Sequence, residues 1–351
     1  MTNATVTPSL TPAMMPARHL GAVAIFQWPS VWAMVCVLLA VDFVWASHVR
    51  LTVGGEIPAG VIGALLALSA VYRRRSRAIA DMAAATAAWG ALMSTGVVLS
   101  YLAASCALPL QDVTMERLDR VVGFDWLAWR DAMPSWATLS WLLQIAYHSL
   151  QPQAALSIIY FAVSGRTGRI GELLLLAGVT LAVTVLFSAI WPALGPFAAH
   201  GGGDTAYLRD VLALRAGGPS HFDLLAMQGI VTMPSYHTVM AVLFTYAFRG
   251  TGLIGYAIAA LNMIMLLSIP PIGGHYLVDM LAGGALALAA IAVQRAQRHV
   301  VSQVSFGLRR EKLVGKVLDS ARGSVFKLER ISARALAAKA GRLHHARDGG
   351  I

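Results

Sequence analysis

Charged residues are scarce in this chain of 351 residues, and lysine is absent before residue 312. Charged side chains make up 13% of the chain and hydrophobic ones 57%, whereas soluble domains average about 25% charged and about 45–50% apolar residues. This composition excludes an ordinary soluble domain and indicates an integral membrane protein.

The two cysteines, Cys36 and Cys106, lie in apolar runs without metal-ligand spacing, so we expect neither a disulfide nor a thiolate metal site. No charged segment leads into a short apolar core near residue 1, so we expect no cleavable signal peptide.

The net charge of +10 is concentrated at one end of the chain. Residues after 294 contain 13 basic and four acidic side chains, which leaves the preceding part close to neutral. Apolar residues recur among these basic ones, as in a helix that lies on an anionic membrane surface. A disordered basic arm is the alternative. Contact with nucleic acid is not expected, because aromatic residues do not alternate with the basic ones.

Apolar runs long enough to cross a bilayer need roughly twenty residues. Eight candidate spans are found, of which the second and sixth are short, at 29–48, 57–72, 82–106, 136–163, 171–195, 233–249, 252–270 and 275–294. The sequence therefore predicts an all-α, polytopic membrane protein with about eight transmembrane helices.

The basic residues indicate how these spans are oriented, because cytoplasmic loops carry an excess of lysine and arginine. With alternating spans, 21 of the 27 basic residues fall on one side of the membrane. We therefore expect both termini to be cytoplasmic, in a bacterial-type inner membrane. Two longer loops, at about 107–135 and 196–232, are then extracytoplasmic. The first is predicted to be amphipathic and to lie at the interface, and the second could fold over a site.

Two motifs forty residues apart each place a histidine where an apolar segment begins. They read Met-Pro-Ser-Tyr-His-Thr at 233–238 and Gly-Gly-His-Tyr-Leu-Val-Asp at 273–279. In the second motif Asp279 follows His275 by four residues, so both lie on one helical face. Each histidine lies where a span begins, at the start of the sixth and of the eighth, so the chain crosses the membrane twice between them and His237 and His275 are expected at the same membrane face. Two histidines and a carboxylate suit phosphoryl transfer through a phosphohistidine, and helix N-termini favour phosphate.

Two further polar residues lie within predicted spans. His148 is in the fourth span, where a titratable group is a functional hypothesis by default. A structural hydrogen bond from His148 to Gln144 or Gln151 is the alternative. Asp42, in the first span, is equally ambiguous, because that span could serve only for packing.

At the two motifs the chain resembles the type 2 phosphatidic acid phosphatases. Within that superfamily it is most similar to the inositolphosphotransferase-like branch, which includes the fungal inositol phosphorylceramide synthases and their bacterial relatives. The residues that carry the resemblance are Pro234-Ser235-Tyr236-His237-Thr238, Gly273-Gly274-His275-Tyr276-Leu277-Val278-Asp279 and Gly283, with a weaker stretch at Leu118-Asp119 and Phe124-Asp125-Trp126.

The resemblance covers roughly residues 82–294 and implies a division of the chain. It gives an N-terminal cytoplasmic segment at 1–28, two extra transmembrane helices at 29–81, a six-helix catalytic core at 82–294 and a basic cytoplasmic tail at 295–351.

The resemblance also implies a role for each motif residue. His275 would be the nucleophile, Asp279 would accept its other ring N–H, and His237 would protonate the departing oxygen. Ser235 and nearby backbone N–H groups would bind phosphate oxygens. This chemistry requires no metal and no cofactor.

The chain departs from the phosphatase pattern where that pattern has cations. Ser268 and Ile269 stand where the third motif normally begins with Ser-Arg, and the lysine and Arg-Pro pair of the first motif have no counterpart. Tyr236 replaces the usual glycine. Such cations stabilise the transition state, so their absence favours transfer or diester chemistry over hydrolysis of a phosphomonoester.

The alternative to diester chemistry is that other arginines compensate and bind the phosphate. Arg215 and Arg209, in the loop before the first motif, are the candidates, with Arg120 third. The alternative interpretation is that each is a solvated loop charge.

The sequence leaves several functions open. The predicted substrate is a phospholipid, a sphingolipid or a polyprenyl phosphate, all of which present a phosphate at the same depth in the bilayer. The chemistry is phosphatase or phosphotransferase, and the oligomeric state is not predicted. The alternatives are a catalytically inactive family member, or a non-enzymatic membrane protein such as a transporter or a bis-histidine haem carrier.

Overall fold

A computed structural model of the protein describes residues 19–132, 137–201, 203, 205–299 and 303, with side chains of the first helix described from Trp28. The elements in chain order are α1 (His19–Val49), β1 (Leu51–Gly54), α2 (Glu56–Tyr72), α3 (Arg77–Ser105), α4 (Asp112–Val121), α5 (Trp126–Ala132), α6 (Ala137–His148), α7 (Leu150–Val163), α8 (Thr167–Ile190), α9 (Pro196–His200), α10 (Ala206–Ala216), β2 (Ser220–Asp223), α11 (Tyr236–Ala247), α12 (Leu253–Gly273) and α13 (Leu277–His299). Residues 1–18 of the N-terminal segment and nearly all of the basic tail lie outside these residues.

The predicted all-α, multi-pass membrane architecture is confirmed. Five helices of the described residues are long and apolar enough to cross a membrane: α1 from Trp28, α3, α8, α12 and α13. The other three predicted spans coincide with shorter helices. The second is α2, the sixth is α11 with 12 residues, and the fourth is divided into α6 and α7.

The division of the fourth predicted span has a local cause. Helix α6 ends at His148 and α7 begins at Leu150. Pro152 has no N–H group, so it cannot donate the i+4 hydrogen bond to the carbonyl oxygen of His148 that would continue the helix. Ser149 instead donates its hydroxyl to Ala146 O at 2.6 Å. His148 therefore lies at a helix break and not in the middle of a continuous span.

Helices α3 and α8 pack against each other at the centre of the core, and α1 packs against both. Val31 and Val35 of α1 are buried in this core. A Cβ atom on Gly178 of α8 would collide with Met34 of α1, so this glycine permits close approach of the two helices. The first helix is therefore integral to the core, although the resemblance placed it outside the catalytic region.

Helix α2 contacts α3 but buries none of its own residues. Its apolar side chains, such as Ile57, Val61 and Val71, are exposed. Exposed apolar surface of this extent is rare on a soluble monomer. On a membrane protein the same surface faces the hydrocarbon of the lipid.

A two-stranded parallel sheet joins the α1–α2 loop to the loop before the first motif. Strand β1 pairs with β2, with Leu51 opposite Ser220 and Gly54 opposite Asp223. Arg130, in α5, donates to the carbonyl oxygen of His200 at 3.0 Å. The three loops predicted to share the extracytoplasmic face therefore contact one another.

A second set of contacts joins loops that were predicted to share the cytoplasmic face. Arg249, after α11, donates to both carboxylate oxygens of Glu172 in α8 at 2.9 and 3.1 Å. Arg169 donates to the carbonyl oxygens of Ala247 and Arg249. These charge-assisted bonds fix the end of α11 to the beginning of α8.

Candidate active site

The fold brings His237, His275 and Asp279 together. The ring centroids of His237 and His275 are 6.4 Å apart. His275 Nδ1 lies 3.5 Å from Asp279 Oδ2, and both of these side chains are buried. The distance is longer than an optimal hydrogen bond, as is common for catalytic pairs without substrate. The i+4 spacing read from the sequence therefore corresponds to a real contact.

Ser235 links the two motifs through its backbone. Its N–H donates to the carbonyl oxygen of Asp279 at 3.0 Å, and its hydroxyl accepts from Thr238 N as the N-cap of α11. A Cβ atom on Gly283 would collide with the carbonyl oxygen of Ser235. The glycine that follows the second motif therefore allows α13 to cross closely against the first motif.

The paired glycines before His275 also serve close packing. Gly274 has a φ of +63°, a left-handed conformation that favours glycine. A Cβ atom on it would collide with Phe197, and one on Gly273 would come within 2.6 Å of the ring of Tyr147. The turn between α12 and α13 is therefore compact, and it delivers His275 to the start of α13.

Asp119 caps the helix that carries Asp279. Its two carboxylate oxygens accept from Leu277 N and Val278 N, each at 2.9 Å, and the side chain is buried in α4. Burial raises the pKa of the Asp119 carboxyl above its ordinary value, while these two N–H groups act in the opposite direction. The N–H group of Tyr276, which precedes these two residues, donates to Asp279 Oδ2 at 3.0 Å.

These contacts do not support the expectation that phosphate binds the amide groups at the N-terminus of α13, which stays a prediction. The N–H groups of Tyr276, Leu277 and Val278 already donate to carboxylates of the protein. Carboxylates at this position satisfy the same helix dipole that would attract an anion. The sequence signal for Asp119 was present in the weaker part of the resemblance, but its partners were not predictable.

Asp112 supports the turn from the other side. Its carboxylate accepts from Leu194 N and Gly195 N, and the hydroxyl of Tyr276 lies 3.3 Å from its Oδ1. Burial and the nearby Asp112 raise the pKa of the Tyr276 hydroxyl, so it remains a neutral donor. Tyr276, between His275 and Leu277, is thus held in place by its side chain as well as its N–H.

Tyr147 is a site residue that sequence reasoning missed. Its ring stacks on that of His237, with centroids 4.3 Å apart and an interplanar angle of 14°. Stacking of this kind restricts the orientation of the imidazole. Tyr147 comes from α6, and no motif in the sequence connects it with the histidines.

The two arginines predicted to bind phosphate make other contacts. Arg215 Nη2 donates to the carbonyl oxygen of Leu108 at 2.9 Å, and Arg209 Nε lies 3.3 Å from Asp210 Oδ1. Within the described residues neither contacts the two histidines. Their contacts therefore do not support the phosphate-binding role, which stays a prediction.

Arg120 lies closer to the second motif. It lines a cavity of about 200 Å³ that is also bordered by Tyr276, the residue after His275. Its Nη2 is paired with Glu116 Oε1 at 2.5 Å, and its side chain is largely exposed. Among the cavities formed by the described residues, Arg120 shares one with a motif residue, whereas the cavity that Arg209 lines contains none.

A separate cavity of about 290 Å³ lies inside the helix bundle beside His237. His148 and Tyr147 line it together with residues of α3, α7 and α8. Among the described contacts, His148 forms no hydrogen bond with Gln144 or Gln151; Gln151 Oε1 accepts from Trp89 Nε1 at 2.8 Å. Of the alternatives for His148, the structure thus favours a position at the cavity over the predicted hydrogen bond.

Comparison with protein families assigns the chain to a class. The family model described as the PAP2 superfamily, which is that of the type 2 phosphatidic acid phosphatases, matches residues 113–293, just over half of the 351 residues. The chain therefore belongs to this superfamily, and membership supports a lipid phosphatase-type function. Searches of curated proteins and of solved structures found no match.

Proposed function

We propose that the protein is a metal-independent lipid phosphatase or phosphotransferase that works through a phosphohistidine at the extracytoplasmic face of the membrane. The observation that carries this proposal is the convergence of His237, His275 and Asp279 from two motifs. Membership of the PAP2 superfamily favours this function over a transporter or a haem carrier.

In the proposed reaction the Nε2 atom of His275 attacks phosphorus. Asp279 lies at the Nδ1 side of the ring, where a carboxylate fixes the tautomer and stabilises the positive charge that develops. His237 donates a proton to the departing oxygen and then removes a proton from the acceptor, which is water in hydrolysis and an alcohol in transfer. Ser235, Arg209 and Arg215 remain the predicted phosphate-binding residues. Arg120 is added to them because it lines a cavity next to Tyr276.

The proposal favours transfer, or attack on a diester, over hydrolysis of a monoester dianion. Among the described residues, no arginine or lysine contacts His237, His275 or Asp279. A phosphodiester carries one negative charge instead of two, so it needs less cationic stabilisation in the transition state. This is the chemistry of the inositolphosphotransferase-like branch that the sequence resembles.

The test is a mass-spectrometric product assay on the purified protein in detergent with EDTA present. The substrates are phosphatidate, polyprenyl diphosphate, and phosphatidylinositol with ceramide. Free phosphate would identify a phosphatase, and a new phosphodiester lipid a transferase. We expect His275→Ala to reduce turnover at least about 10³-fold, since it removes the nucleophile.

His221→Ala is the matched control, because His221 is an exposed histidine in β2, away from the motifs. It should retain wild-type turnover. Turnover by the His275→Ala variant equal to that of the wild-type protein would reject the mechanism. Wild-type protein that forms no product from any of these substrates would favour an inactive family member.

A further inference from the structure

The two histidines of the site differ in what lies beside each ring. His275 has the Asp279 carboxylate 3.5 Å from its Nδ1 atom. Among the described residues, no carboxylate lies within ion-pair distance of His237. The Tyr147 ring lies against it instead, with centroids 4.3 Å apart and an interplanar angle of 14°. The partner of His237 is therefore the face of an aromatic ring.

The second motif makes room for this ring. Helix α6, which carries Tyr147, packs against α12, which ends at Gly273. A Cβ atom on Gly273 would lie 2.6 Å from Tyr147 Cε2, and the three atoms nearest to it all belong to Tyr147. Glycine at this position thus allows the Tyr147 ring to stack on the histidine of the first motif.

The proposed reaction requires His237 to hold a proton before the oxygen departs. A protonated imidazole is a cation, and a cation among apolar side chains is costly unless a partner compensates for the lost water. The cavity at His237 is lined mainly by such side chains, among them Met93, Val97 and Leu181. The face of an aromatic ring attracts a cation that lies within about 6 Å of the ring centroid, and the His237 ring is inside this distance of Tyr147.

We infer that Tyr147 is a positioning residue that stabilises the protonated form of His237 through the face of its ring. This role rests on the proposed function, because it is the acid step that requires a proton on His237. His275 differs, since its Nε2 atom must be unprotonated in order to attack phosphorus. The ring face, and not the phenol hydroxyl, provides the stabilisation, so Tyr147→Phe should preserve it.

The other groups around His237 bear on its titration. Four titratable side chains from neighbouring helices surround it: His275 and Asp279 of α13, and Tyr147 and His148 of α6. The residues of α3, α7 and α8 that line its cavity are uncharged, Tyr256 lies near the opposite end of α12, and Arg249 pairs with Glu172 at the opposite end of α11. His237 and His275 are close enough to titrate as a pair, but Tyr147 stacks on only one of the two rings.

The experiment is a pH titration of the imidazole groups by nitrogen NMR, on the purified full-length protein in detergent with isotope-labelled histidine. The signal of His237 is assigned by its absence from the His237→Gln variant. The titration runs from about pH 5 to about pH 9, around the ordinary histidine value. In Tyr147→Leu we expect His237 to lose its proton roughly one pH unit below the wild-type midpoint, whereas Tyr147→Phe should titrate like the wild type.

Trp141→Leu is the matched control, because Trp141 is an aromatic residue of the same helix and is 61% exposed. It should leave the midpoint unchanged. Gly273→Ala is a second variant that keeps Tyr147 in the chain but displaces its ring. Gly273 does not have a positive φ, so its backbone accepts alanine, and we expect the midpoint to move in the same direction as in Tyr147→Leu.

Three results would overturn the inference. The first is a midpoint that neither Tyr147→Leu nor Gly273→Ala changes. The second is a His237 that stays neutral over the whole range in the wild-type protein. The third is a shift in Tyr147→Phe as large as that in Tyr147→Leu, which would assign the effect to the hydroxyl.

Turnover separates this inference from the proposed function. The alkaline limb of kcat/KM, measured with the substrate that the product assay identifies, reports loss of the proton from the acid. In Tyr147→Leu it should move together with the NMR midpoint. A shifted midpoint in a protein that forms no product from any substrate would count against the proposed function alone. A lower kcat with an unmoved midpoint and alkaline limb would show that Tyr147 only orients the ring, and would overturn this inference alone.

Discussion

At the level of single residues, the active site depends on carboxylates that differ in what they contact. The Asp279 carboxylate lies next to the His275 ring. The Asp119 carboxylate instead accepts hydrogen bonds from the backbone at the start of α13, the helix that positions His275 and Asp279. Two N–H groups at the start of α13 would lose their only described partner if Asp119 were truncated. The expected consequence is a shift of the helix start, and with it of His275, in a site where small displacements lower the rate strongly.

We therefore predict that Asp119→Ala lowers kcat more than tenfold with little change in KM, and costs about 1–3 kcal/mol of stability. The measurement is steady-state kinetics together with thermal unfolding in detergent. Asp131→Ala is the control, because the Asp131 side chain is 65% exposed and pairs only with Arg130 among the described residues. Unchanged kinetics in a folded Asp119→Ala protein would show that the helix start does not need this cap.

At the level of elements, the site depends on how closely α13 crosses the first motif. Gly283 and Gly284 are neighbours in α13, but their surroundings differ. A Cβ atom on Gly283 would collide with the carbonyl oxygen of Ser235, whereas on Gly284 its nearest neighbour would be Thr238 Cγ2 at 3.9 Å. The first contact is backbone that cannot yield easily, and the second is an ordinary van der Waals contact.

This pair gives an internally controlled test. We predict that Gly283→Ala destabilises the protein by about 1–3 kcal/mol through overpacking and impairs turnover, because it separates His237 from His275. Gly284→Ala should be neutral, or stabilising by up to about 1 kcal/mol, since alanine favours the helix. Thermal unfolding and turnover of the two variants, measured in parallel, check this. Equal behaviour would mean that the crossing is not tight.

At the level of the whole molecule, the loops sort into two groups that agree with the charge distribution. The β1–β2 pair and the Arg130 contact join loops predicted to be extracytoplasmic, and the Arg249–Glu172 pair joins segments predicted to be cytoplasmic. The sidedness relative to the membrane is still a prediction from the basic residues.

Cysteine labelling in intact bacterial cells tests this sidedness. Cys36 and Cys106 are both exposed, so they are first replaced by alanine. A membrane-impermeant maleimide should then label Asp131→Cys, in α5, but label Ser164→Cys, between α7 and α8, only after the cells are opened. The reverse pattern would place the active site in the cytoplasm.

The sequence by itself determined the class of this protein, the pairing of His275 with Asp279 and the grouping of the loops. These follow from hydropathy, helical spacing and charge, which are local properties of the chain. It predicted eight spans, but it did not show that a proline after His148 divides one of them or that α11 has 12 residues.

Only the tertiary structure decided which distant residues complete the site. Asp119 caps a helix 158 residues further along the chain, and Tyr147 stacks on a histidine from another helix. The structure also placed Arg215 on a backbone carbonyl and not at the histidines. Such contacts depend on how the helices pack against one another. They therefore cannot be predicted from the periodicity or the residue spacing of the sequence.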